Sequence, residues 1–86
     1  MFTFKRLGSI LHIRPNDKKA IVRSGRIKEK ILRKRVVDEK INHIGSVYDI
    51  FGPVDNPYIV IKLNHNIKNI KDLKGKVLYI YSKSKR

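Results

Sequence analysis

A chain of 86 residues with no cysteine, and with 21 Lys and Arg against 7 Asp and Glu for a net charge of +14, is one small domain held by packing alone. The missing thiols exclude disulfides, thiolate metal sites and a cysteine nucleophile, and the small core argues against an enzyme with an internal cleft. The positive excess favours a polyanionic neighbour, nucleic acid being the commonest, while a merely solvated basic face would carry the same charge. No apolar run approaches the roughly 20 residues of a membrane span, and "MFTFKR" is too short for a secretory signal, so a cytoplasmic protein without a membrane partner is expected.

"LGSILHI", residues 7–13, has the apolar density of a strand. "RPND" then supplies turn residues and "KKAIVR" returns, which makes a hairpin over residues 7–23. Local propensity in "KEKILRKR" favours a short helix, yet Ser24 and Gly25 open the segment and Val36 and Val37 close it with a β signal. Residues 24–35 therefore read as a basic connection into a short strand at about Arg35 to Asp38. "HIGSVYDIF", residues 43–51, is a strand whose Gly45 marks a bend, a bulge or a close backbone approach. "PYIVIKL", residues 57–63, follows, with Pro57 admissible only at its start or on an edge. Near Lys74 a short helical turn ends, Gly75 punctuates it, and a last strand spans residues 76–82. Six short strands in so few residues are best protected by closing the sheet, so the expected fold is all-β: a small closed barrel over residues 1–82 with a basic, disordered tail at 83–86.

Catalytic patterns are missing from the sequence. His12, His43 and His65 stand at no metal-ligand spacing, the serines lack a nucleophile elbow, and no glycine-rich phosphate cradle occurs. Asp38 and Glu39 are adjacent, and in a strand they would face opposite sides. No cofactor, metal or small-molecule substrate is expected. The basic residues of the connection, Arg26, Lys28, Arg33, Lys34 and Arg35 among them, are candidates for facing RNA, since such patches attract phosphate without reading sequence. None of the four tyrosines lies within that cluster, and base stacking would require them.

"DIFGPVDNPY", residues 49–58, is different. Pro53 and Pro57 remove two donors and preset their own φ angles, and Gly52 is restricted by the proline after it. Phe51, Val54 and Tyr58 cannot all enter one small core from so short a loop. Either some are exposed as a stiff apolar docking surface or the group plugs one end of the barrel. Asp49 is placed to accept hydrogen bonds from backbone donors.

"IGSVYDIFGPVDNPYIVIK", residues 44–62, strongly resembles the signature of the Gar-type subunit of H/ACA ribonucleoproteins, the glycine/arginine-rich protein family. "KRLGSILHI", "AIVR", "VVDEK" and "LKGKVLYIY" extend the similarity over residues 5–81. The resemblance implies a six-stranded barrel similar to a domain of translation factors. It also implies a non-catalytic subunit of a guide-RNA-dependent pseudouridine synthase that docks on the catalytic subunit and aids placement, turnover and release of ribosomal RNA. Guide RNA and ribosomal RNA are then neighbours within the particle. The docking surface or its support falls on Ile50, Phe51, Gly52, Pro53, Val54, Pro57 and Tyr58. No glycine/arginine-rich stretch occurs in these residues, so the bare archaeal form is the one expected. Where many members have a glycine before the short central strand, this chain has Arg33 nearby. A free-standing basic barrel that binds ribosomal RNA directly is the alternative.

Overall fold

Apolar side chains at every second position drive six strands to bury one face each, and the computed structural model closes those faces into a barrel. It describes residues 2–27, 30–67 and 70–83. The strands are β1 (Phe2–Arg14), β2 (Lys19–Arg23), β3 (Arg35–Val37), β4 (His43–Phe51), β5 (Tyr58–Leu63) and β6 (Val77–Lys83), with a 3₁₀ turn at Ile70–Leu73. Their order around the barrel is β1-β2-β5-β4-β3-β6, and every pairing is antiparallel. The all-β closed barrel expected from the sequence is the fold found.

β1 starts five residues earlier than the apolar run suggested, because its first half pairs with β6 and its second half with β2. Ser9 sits at the changeover, opposite both Val77 and Arg23. Lys83, placed in the tail by the sequence, pairs with Phe2 in β6, while residues 84–86 lie outside the described residues. Register shifts in β1, in the β3–β4 pair and in β4 bend the strands enough to close a narrow barrel.

The inward faces supply the core. Val22, Val36, Val47, Ile59, Ile61 and Leu78 are almost wholly enclosed, each such burial stabilising by roughly 1.5–3 kcal/mol. Ile31 from the connection and Leu73 from the 3₁₀ turn, both outside the strands, join that core. Gly45 is required by close approach: a Cβ there would collide with the Lys62 carbonyl of β5, which is the reason for a glycine inside this strand.

The basic connection ends fastened to the barrel. The Arg33 N–H donates to the Val47 carbonyl at 2.8 Å, and the Val47 N–H donates to the Lys34 carbonyl at 3.0 Å. These bonds hold Arg33 at φ 68°, a left-handed conformation that an L side chain adopts at a cost and glycine adopts freely. The residue standing where the resemblance implies glycine thus keeps the backbone shape glycine would take. Arg33→Gly is expected to relieve strain by more than its added chain entropy costs. The net gain is up to about 1 kcal/mol, read as a thermal midpoint raised by a few degrees.

Candidate functional site

The β4–β5 hairpin closes through residues 52–57 at one rim of the barrel. Phe51 and Tyr58 face each other as the last cross-strand pair, and their rings stack at 5.4 Å with 24° between planes. Gly52 turns the chain with φ 98°, and a Cβ on it would press on the Tyr58 ring at 3.1 Å. The Asn56 N–H donates to the Pro53 carbonyl at 3.3 Å, and the Pro57 carbonyl accepts from the Ser24 N–H at 3.0 Å, tying the loop to the end of β2. The Asp49 carboxylate accepts from the Ile50 N–H at 2.8 Å, within β4 and not in the turn.

This framework leaves apolar groups in water. Val54 is 74% exposed and Phe51 48% exposed. Pro57 is buried, Ile50 is half-buried against the core and Tyr58 is half-buried between Phe51 and the Arg23 guanidinium. Of the two readings open in the sequence, the exposed surface is the one the geometry matches. Ile31 and Leu73 complete the core in place of Phe51 and Val54.

The basic connection is not one patch. Arg26 joins the rim, its Nε 3.9 Å from Asp55, a solvent-exposed pair of little energetic weight. Arg33 and Lys34 run along β4, Arg35 belongs to β3, and Lys28 lies outside the described residues. Strand register instead brings tyrosines to cations from distant segments. The Lys19 ammonium stands 4.1 Å above the Tyr48 ring, Arg23 5.6 Å from that of Tyr58, and Arg35 5.7 Å from that of Tyr81. Proximity in sequence could not find these pairs. The available signal is the outward phase of Lys19, Tyr48 and Tyr81 on their strands. Among the described residues no group of His, Asp and Glu is arranged to hold a metal ion.

Residues 4–86 match the family model of the Gar1/Naf1 RNA binding region. The chain belongs to the Gar1/Naf1 family. A protein of Methanothermobacter thermautotrophicus (strain Delta H), described as uncharacterized, is 38% identical over an aligned length of 78, covering 88% of this chain and 82% of that one. The solved Gar1 domain of Naf1 is similar with a TM-score of 0.70 and 25% identity, over 93% of this chain and 87% of that one. Gar1/Naf1 membership assigns an H/ACA ribonucleoprotein-related role in general, and the Gar1 family is a non-catalytic ribonucleoprotein component.

One carboxylate of this Gar1/Naf1 domain departs from its expected place. β3 ends at Val37, so Asp38 is not a strand residue opposed to Glu39. It lies buried in the turn that follows, while Glu39 is exposed. Its Oδ1 accepts from the N–H groups of Lys40 and Asn42 at 2.9 Å each. Its Oδ2 accepts from the Asn42 side chain at 3.1 Å and lies 3.7 Å from the Lys76 ammonium. Burial pushes its pKa up, but the Asn42 and Lys40 hydrogen bonds and the Lys76 charge outweigh burial and hold it below the ordinary value. A folded-state pKa depressed in this way contributes stability that is present above the unfolded pKa of about 3.9 and is lost as pH falls through the lower folded value. Asp38→Ala is expected to cost about 2 kcal/mol at neutral pH by leaving its donors unpaired, and to flatten this acid limb. Thermal melts from neutral pH to below about pH 3.9 measure both effects.

Proposed function

We propose that the chain is the non-catalytic subunit of an H/ACA guide-RNA-dependent pseudouridine synthase particle. In this reading it docks on the catalytic synthase subunit through the rim at Ile50–Tyr58 and assists placement, turnover and release of the ribosomal RNA substrate. The observation that carries the reading is the exposed Phe51–Val54 surface on a loop fixed by Gly52, by the Phe51–Tyr58 stack and by the bond from Ser24 to Pro57. A stiff apolar element loses little freedom on binding, so more of its contact energy appears as affinity. Family membership supplies the ribonucleoprotein setting.

The second reading, a free-standing barrel that binds ribosomal RNA directly, is favoured by the net charge of +14 and by the family's description as an RNA binding region. Titration of the purified chain against a pseudouridine synthase catalytic subunit tests the first reading, and bare guide RNA in parallel tests the second. Val54→Asp is expected to weaken synthase binding at least tenfold, because a charge would be buried in the interface. Stability should stay within about 0.5 kcal/mol of the parent, since Val54 touches solvent and not the core. Unchanged synthase affinity in this variant would sink the docking reading.

A further inference from the structure

The strand register places one outward-facing row of side chains around the barrel, away from the docking rim. Tyr81 of β6 stands opposite Arg35 of β3, Arg35 opposite Ser46 of β4, Ser46 opposite Lys62 of β5, and Lys62 opposite Lys19 of β2. Residues next to these along the strands, Ile80, Val36, Gly45, Ile61 and Ala20, are buried, which fixes the row on the outside. With strands about 4.8 Å apart, the four steps from Tyr81 to Lys19 cover roughly 19 Å, the scale of a few nucleotides.

Cations and rings alternate along this path. At one end Phe4 packs beside Tyr81 at 5.1 Å between centroids, and the Arg35 guanidinium lies near the other side of that tyrosine. In the middle of the path Tyr48 of β4, two residues from Ser46 and 55% exposed, carries over its face the ammonium of Lys19 from the far end. On β5, between the strands of Tyr48 and Lys19, Lys62 is exposed and has no ion pair among the described residues. Of the carboxylates nearest this row, Asp17 is held by Arg14 at 2.9 Å and Asp38 is buried under its turn, Glu39 lies on the far side of Ile41, and Asp49 follows Tyr48 on β4, where it is outnumbered by Lys19, Lys62 and Arg35.

The Tyr81 end also carries a built notch of about 160 Å³ lined by Arg35, Val37, Ile41, His43 and Tyr81. That is well below the roughly 300 Å³ at which drug-sized ligand pockets begin, so it suits a single ring system. Its outer lip is Ile41, a β-branched residue at φ 65° that is 58% exposed. The Asp38 hydrogen bonds hold the turn that presents it. Strain of this kind in a residue that contributes nothing to the core is what functional surfaces retain.

We propose that this outer wall binds a short single-stranded stretch of RNA, with phosphates on Arg35, Lys62 and Lys19 and bases against Tyr48 and in the Tyr81–Ile41 notch. Aromatic faces interleaved with cations favour a single strand, whose bases are free to stack, over a duplex or a bare polyanion. The proposal rests on the second reading above, direct RNA binding by the chain, which it deepens by naming the face and the strand state, and it is compatible with docking because it uses another face.

Fluorescence anisotropy of the purified chain with a labelled oligoadenylate, an abasic oligomer of equal length and an RNA duplex tests it. The single strand should bind more tightly than both others. Tyr48→Ala should weaken it by roughly fivefold or more while leaving the abasic oligomer unaffected. Neutralising Arg35, Lys62 and Lys19 together should reduce the log–log salt slope by about 2. Thermal melts confirm that these surface variants remain folded, and Val54→Asp should bind RNA like the parent. Equal affinity for the intact and abasic oligomers would overturn the proposal. So would retained binding in the wall variants with loss on neutralising Arg26 and Lys34, or wall variants that lose the synthase subunit while no form of the chain binds RNA.

Discussion

Everything else in this barrel depends on one strand being bonded on both sides. β1 is long enough to give its first half to β6 and its second to β2, so the row that leaves it at Phe4 returns to it at Arg14, ten residues further along. That offset means strongly tilted strands, a narrow interior that side chains can fill, and no free sheet edge. It also makes each outward row a helical path around the surface. Lys19, Arg35, Lys62 and Tyr81 are far apart in sequence and share one such path for that reason.

The two surfaces derived from this scaffold differ in how they are held. At the rim, stiffness is local: a glycine with positive φ, two prolines, a ring stack and two backbone bonds fix a loop that would otherwise be mobile. Along the wall it is inherited from the sheet, whose register sets the spacing of side chains without any loop. The first suits an apolar partner with a shaped recess, the second an extended charged chain. A small basic domain thus carries an apolar rim and a charged outer wall without enlarging its core.

The strands were legible because alternation and turn residues mark them. Pro15 to Lys18 joins β1 to β2, Gly45 marks the tight approach to Lys62, and Pro57 stands just before β5. The rim loop was legible in its chemistry, since Gly52, Pro53 and Pro57 announce a fixed backbone and too many apolar groups surround them for one core. Register was not legible, because a sequence does not say which strand lies beside which, and so the tyrosine–cation pairs were invisible. Asp38 was misplaced for a related reason. Three residues suffice for β3, and the side chain that follows turns inward to organise the backbone of its own turn. The basic connection over residues 24–35 looked like one patch only because it is contiguous in sequence.

The position of β6 has a consequence for how the molecule comes into being. It is the last strand in the chain, yet it forms both remaining seams, bonding β1 on one side and β3 on the other. While it is still missing, the earlier strands leave two raw edges and an open core. Closure by such distant pairings is slow compared with local hairpin formation. During synthesis, then, a partially emerged chain offers neither the wall nor a fully supported rim. Both surfaces therefore take their final form in one late step, when β6 closes the barrel.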